Sequence, residues 1–421
     1  MGEHAVKSIV LLVLAAAGTC LPVSAPCAET SLRLDEAIVR AERAHPALIA
    51  ERARRAEVQA RAARADLPPP LVLGGEVENL AGSGALDGFA AAETTVRVAT
   101  VLERGGKRAA RRGLAVAEQD AQQGAILIMR LDVMERVTTR FHTVLAAQQR
   151  AAHARERVAA AEHTLREVGR WVDAGRNPES DLHQADIALV DAELEQEHAD
   201  HELASAGIAL AASWGSTIPD FSRVEGDLFA LPPIASLDAL IARLPMTADQ
   251  QVGQLQAEIV RARRRLAESV ARADLDVSLG IRRLEAFGDV GLVMSVAMPI
   301  GTSRRAGHAI AEADAQMVAL EASLAAARIE RHQALFSDYQ ELLHARTEFD
   351  AVRERMLPKA ESALAFTRAG FESGRLSFQA MSQTQTTQHQ LRRRAIDAAV
   401  RYHRLHARLS RLAAIDGGAA P

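Results

Sequence analysis

The sequence predicts a mainly α-helical chain with a small membrane β part, organised as two structural repeats of long coiled-coil helices that each carry a strand pair. Three observations predict it. Ala, Arg, Glu, Gln and Leu dominate the 421 residues while aromatics are 3%, a composition suited to long helices rather than to a globular core. Pro46 matches Pro245, and Gly175-Arg176 matches Gly374-Arg375, both at an offset of 199 residues, which marks an internal duplication. Four segments, two in each half, alternate apolar and polar residues over roughly ten positions. That is the pattern of a half-buried strand and also the length that crosses a bilayer at a tilt.

Residues 1–28 read as a signal peptide. Lys7 follows a short polar start, Ile9–Ala17 supplies an apolar core, and Val23-Ser24-Ala25 or the region up to Ala28 offers small residues for cleavage. Both cysteines, Cys20 and Cys27, fall here. Cleavage after Ala28 leaves a chain with no disulfide framework; a lipid-modified N-terminal cysteine is the alternative. The expected destination is the periplasm or outer membrane of a Gram-negative envelope. No later apolar stretch is long enough for a transmembrane helix. The net charge of −4, with both signs mixed along the chain, argues against a nucleic-acid binder.

The first repeat spans 29–215. Its opening helix is entered at Ser31, interrupted near His45-Pro46 and ended by Pro68-Pro69-Pro70, since proline cannot continue a helix and restricts the residue before it. Strands follow at about 71–79 and 93–103. In the first, Leu71, Leu73 and Val77 alternate with Glu76 and Glu78; in the second, Val96, Val98 and Leu102 alternate with Thr95, Arg97 and Ala99. Gly105-Gly106 closes the pair. A long helix, 107–170, then carries Leu127, Leu131, Met134, Thr138, Phe141 and Leu145 at heptad spacing, a seam for packing against neighbouring helices. At 1.5 Å per residue it is a rod of roughly 95 Å. The chain turns at Ala174–Pro178 and returns as a helix over 181–214.

A linker with Pro219, Pro232 and Pro233 occupies 216–235, and the second repeat, 236–415, restates the plan. Its strands, about 275–285 and 290–299, flank a short turn, Ala286–Asp289. Leu275, Val277, Leu279 and Ile281 alternate with Asp276, Ser278, Gly280 and Arg282; Val290, Leu292, Met294, Val296 and Met298 form the apolar set of the last strand. The long helix 304–370 is interrupted only by Pro358, and the return helix is 377–412, followed by a flexible tail, 416–421. The two short helices of each half sum to about the length of its long one, so they can stack end to end beside it.

Four strands cannot enclose themselves in lipid, where unpaired edges are costly, and the smallest membrane barrel needs eight. Spanning therefore requires copies: two give eight strands, three give twelve, and a tube of long helices with an open lumen favours three. Glu76, Glu78, Arg97, Asp276 and Arg282 would then line the barrel lumen. The alternative is a pair of soluble hairpins packed on the helices, in a periplasmic coiled-coil scaffold, with those charges merely solvated.

The segments Glu76-Val-Glu-Asn-Leu-Ala-Gly-Ser-Gly, Ala92-Glu-Thr-Thr-Val, Glu103-Arg-Gly-Gly-Lys-Arg, Gly280-Ile-Arg-Arg-Leu-Glu, Ala174-Gly-Arg, Trp214-Gly-Ser-Thr-Ile-Pro-Asp-Phe and Phe371-Glu-Ser-Gly-Arg-Leu-Ser carry a resemblance. The chain resembles the TolC-type outer-membrane efflux proteins, and most closely their cobalt–zinc–cadmium resistance subgroup. The resemblance implies a homotrimer with a 12-stranded β-barrel in the outer membrane and an α-helical tunnel in the periplasm. It implies as partners a periplasmic membrane-fusion adaptor and an inner-membrane, proton-driven pump of the resistance-nodulation-division type. The adaptor-docking tips would be Gly175, Arg176, Gly374 and Arg375, although a glycine there also serves as a plain helix cap. The periplasmic gate would involve Asp181 and Gln383. Where the family often has acids six and nine positions after the second turn glycine, this chain has Ala380 and Gln383. Glu179 and Asp181 in the first repeat also suit a helix N-terminus.

No catalytic motif is present: Gly105-Gly106-Lys107 lacks the rest of a phosphate loop, and there is no His-Glu-x-x-His. His198 and His201, and His403 and His406, each share a helix face, but a stable zinc site needs three or four ligands, and the first pair reads as a solvated face. The expectation is no enzyme, no cofactor and no metal site, but a passive exit duct for divalent heavy-metal cations. The rivals are the same duct for organic compounds or for type I protein secretion, and the soluble scaffold.

Overall fold

The computed structural model describes residues 31–414; the expected signal peptide with Cys20 and Cys27, and the expected tail, lie outside the described residues. Helices α1 (Leu34–Ala44) and α2 (Pro46–Ala65) are separated at His45, which is held extended (ψ 122°) by the following proline. Pro46 starts α2, where its missing N–H costs nothing. Then come β2 (Val72–Glu78), β3 (Glu93–Leu102), α3 (Lys107–Asp173) and α4 (Glu179–Ala211). A two-residue strand, β1 (Ser31–Leu32), pairs in parallel with β4 (Arg223–Val224). The remaining elements are α5 (Leu237–Arg243), α6 (Ala248–Val270), β5 (Leu275–Leu284), β6 (Asp289–Ala297), α7 (Thr302–Asp350), α8 (Leu357–Glu372) and α9 (Phe378–Leu412).

The 67 residues of α3 make a rod about 100 Å long. Along its first half lies α2, where Gln122 Nε2 donates to the Glu51 carbonyl at 3.0 Å; along its second half lies α4, where Arg157 pairs with Asp191 and Glu195. Between α7 and α8, residues Ala351–Met356 form a π-helical turn. That wider turn absorbs the N–H missing at Pro358 and lets the rod continue.

Of the expected α3 seam, Leu131, Phe141 and Leu145 are buried, but Leu127, Met134 and Thr138 are only half-buried. Val133, Val137 and Val144 are buried beside them instead. Several elements pack around α3, so its contact surface is wider than one coiled-coil stripe. The largest core lies where β1, α1, α3 and α9 meet the segment from Val224 to Leu228, around Leu32, Val137, Phe141, Leu210, Leu228 and Ala399.

The strands of both repeats form one antiparallel sheet in the order β2-β3-β5-β6. The two repeats meet at β3 and β5, in register from Glu93↔Leu284 to Leu102↔Leu275. The outer edges of β2 and β6 are unpaired among the described residues.

Candidate functional site: a two-faced sheet and paired helix turns

Register sorts the sheet into two faces. Leu73, Val98, Leu279 and Met294 form one cross-strand row, and Gly75, Val96, Ile281 and Leu292 the next. This face lies open, with Leu73 and Leu292 each 74% exposed. Its charged member is Arg283, one residue from the end of β5 and bonded to Glu285 at 2.7 Å, where a long side chain can reach an interface. An apolar face of four strands left open demands an apolar solvent or a partner.

The opposite face gathers all five residues assigned to the lumen. One row is Glu76, Thr95, Arg282 and Gly291; its neighbours are Gly74, Arg97, Gly280 and Val293, and Glu78, Glu93, Leu284 and Asp289. Asp276 lies on the same face, opposite Val101. Arg97 pairs with Glu76 at 3.0 Å. Arg282 donates to Glu93 at 2.8 Å and to Thr95 Oγ1 at 3.0 Å, and pairs with Glu78 at 2.9 Å. Glu78 and Glu93 stand directly opposite each other, a repulsive pairing that Arg282 bridges. A side chain at Gly280 would put its Cβ 2.6 Å from the Val96 carbonyl and 2.7 Å from Arg97 Cβ, so the close approach of β3 and β5 there needs glycine. The sequence reading missed Glu93; its two-residue spacing from Thr95 and Arg97 was the available signal.

Below the sheet, Asp274 accepts from the Arg104 N–H at 2.9 Å and pairs with Lys107 at 2.6 Å. Arg111 pairs with Glu103. These bonds tie the strand ends to the start of α3.

At the far end of α3 and α8, the two turns have the same construction. Gly175 and Gly374 adopt φ of 72° and 69°, the left-handed conformation glycine tolerates. Arg176 N donates to the Trp171 carbonyl and Gly175 N to that of Val172; Arg375 N donates to Gly370 and Gly374 N to Phe371, each at 2.8 Å. This is the paired 6→1 and 5→2 bonding of a glycine helix end. Trp171 and Phe371 meet at 4.6 Å between centroids, and Phe378 packs on Phe371 at 5.8 Å, joining the two turns into one tip. Sequence reasoning did not find this aromatic link. Arg176 lies over the Trp171 ring at 5.6 Å, and Arg375 Nε donates to Ser373 Oγ. Asp181 accepts from Asn177 Nδ2 at 2.8 Å in the first turn of α4; Gln383 is exposed on α9.

His198 is exposed beside Glu202, and His201 is exposed too. His403 is buried, its Nε2–H donating to the Leu228 carbonyl at 2.9 Å. It stacks at 4.0 Å on His142 of α3, whose Nδ1–H donates to Thr138. Burial first, then His403, lowers the His142 pKa to about 4 despite the Thr138 bond. His389 and His153 approach at 3.2 Å; burial and then His153 lower the His389 pKa to about 4. Among the described residues no three His, Cys, Asp or Glu side chains are arranged to hold a metal ion.

Comparisons with known proteins match this architecture. A family model described as "Outer membrane efflux protein" matches residues 37–216. The cobalt-zinc-cadmium resistance protein CzcC of Cupriavidus metallidurans is 29% identical over 301 residues, 71% of this chain and 72% of that protein. The outer membrane protein VceC of Vibrio cholerae superposes with a TM-score of 0.75 at 16% identity, covering 91% of this chain and 97% of that one. CusC superposes with a TM-score of 0.75 at 16% identity, over 90% and 92%.

Proposed function

We propose that this chain, matched by the outer membrane efflux protein family model over residues 37–216 and 29% identical to CzcC, is the outer-membrane channel subunit of a tripartite efflux system. It is a passive exit duct for divalent heavy-metal cations delivered by an inner-membrane, proton-driven pump through a periplasmic adaptor. The observation that carries this reading is the sheet: an open apolar face backed by a charged one, with unpaired edges. Strands of alternating direction end in a β2 edge and a β6 edge, so copies placed head to tail continue the antiparallel order. The four strands of this sheet in three copies make a closed barrel of twelve, within the range of membrane barrels. Glu76, Glu78, Arg97, Asp276 and Arg282 then face the lumen. The repeats 29–215 and 236–415 supply the tunnel wall. Gly175, Arg176, Gly374 and Arg375 form the adaptor-docking tip, with Asp181 and Gln383 near the periplasmic opening.

The metal cargo follows the printed name of the relative at 29% identity. Deleting the protein is expected to lower tolerance to cobalt, zinc and cadmium in a host with no substitute channel, and re-expression to restore it. Lost drug tolerance with unchanged metal tolerance would transfer the duct to organic cargo. A soluble monomer on fractionation would sink the channel.

A further inference from the structure

The charged sheet face carries five carboxylates, Glu76, Glu78, Glu93, Asp276 and Asp289, against two guanidiniums, Arg97 and Arg282. Their arrangement is uneven. Arg97 neutralises Glu76, and Arg282 is shared by Glu78 and Glu93. Asp276, at the helix end of the face, and Asp289, at the turn end, make no side-chain hydrogen bond or ion pair among the described residues. The free carboxylates thus stand at the two ends of the wall and the clamped ones between.

We propose that this face is a cation-selective but non-chelating wall, in which Asp276 and Asp289 draw cations while Arg282 occupies what would otherwise be a divalent-cation trap between Glu78 and Glu93. The inference rests on the channel reading above, which puts this face in the lumen. The physical argument is the balance a conduit must keep. A wall of one charge sign concentrates the opposite ion, but conduction requires binding weak enough for release. Two carboxylates directly opposite on neighbouring strands, Glu78 and Glu93, are oxygen ligands within reach of one divalent ion, the hard-donor set such ions take. A guanidinium bonded to both at 2.9 and 2.8 Å satisfies them permanently and withholds them from cargo. It also leaves the face with net negative charge.

The test is ion conduction by the purified oligomer in planar bilayers, read as the zero-current potential in a KCl gradient and as block by added ZnCl2. The wild type is expected to prefer potassium over chloride and to conduct without zinc block. Arg282→Gln, whose amide nitrogen falls where Nε now donates to Thr95 but which lacks the groups that reach Glu78 and Glu93, is expected to raise cation preference by about twofold and to become blocked at a zinc concentration at least about tenfold lower. Adding Glu78→Gln to that variant should abolish the block. Asp276→Asn, which has no partner to lose, should lower the cation preference without creating block. Conducting Arg282→Gln channels with unchanged selectivity and zinc response would overturn the proposal while leaving the channel intact, as would an anion-selective wild type. A wild-type oligomer that conducts no ions would overturn the channel reading, and this inference with it.

Discussion

Arg282 on β5 places Nη2 2.9 Å from Glu78 Oε2 on β2, reaching across β3 to do so. Its Nη1 meets Glu93 on the strand between. One side chain therefore connects three of the four strands and joins the two repeats. Arg282→Ala leaves Glu78 and Glu93 facing each other. Each cross-strand charge pair is worth a few tenths to 1 kcal/mol, so a loss of about 1 kcal/mol is expected. It would appear as a lower melting temperature of the purified protein in detergent, partly recovered by adding Glu78→Gln. An unchanged melting temperature would deny the bridge any structural role.

The two faces make opposite demands on a new charge. Leu279 sits mid-strand in the apolar row with Val98 and Met294, and its neighbour Ser278 sits on the charged face. Leu279→Arg should cost about 2–4 kcal/mol of folding in bilayers, whereas Ser278→Arg, on the charged face, should cost far less if that face lines a watery lumen. Urea titration of folding into lipid vesicles measures both. Equal costs would contradict a lipid-facing row.

At the tip, Gly374→Val forces a β-branched residue to φ of 69°. The expected penalty is about 1–2 kcal/mol, seen as earlier protease nicking of the turn. Function is tested separately: Arg176→Glu with Arg375→Glu should reduce metal tolerance while the amount of channel in the outer membrane holds. Full tolerance would exclude these arginines from adaptor docking.

Acid should loosen the helical part before it reaches the carboxylates. Folded His142 and His389 stay neutral down to about pH 4, while unfolded imidazoles protonate near about 6.5. Between these values the unfolded chain binds more protons, so stability falls as pH drops from 6.5 to 4 and levels off below. Each ring contributes a slope approaching about 1.4 kcal/mol per pH unit. His142→Gln should flatten the curve of melting temperature against pH in that window. An unaltered slope would mean that His142 is not charged on unfolding.

The charged-face residues illustrate how much of the site could be read in advance. Glu76, Arg97 and Arg282 were legible because side-chain direction in a strand follows from parity alone. That Arg282 touches Glu93 required the register of β3 against β5, strands separated by all of α3, α4, α5 and α6. The same division holds at the tip. Gly175 and Gly374 announce their turns through backbone chemistry, but the Trp171–Phe371 contact depends on how two long helices dock.

What the sequence determined by itself was therefore whatever local covalent geometry controls. That includes the helix lengths, the stops at Pro46 and Pro68, the glycine turns, the alternation of four strands and the 199-residue repeat. The tertiary structure alone decided the strand order, the bridging role of Arg282, the aromatic joint of the tip, the stacking of His142 on His403 and the burial of Val133 and Val137 beside the heptad seam. These depend on relative placement of distant segments, set by shared burial and register, and no local period encodes them.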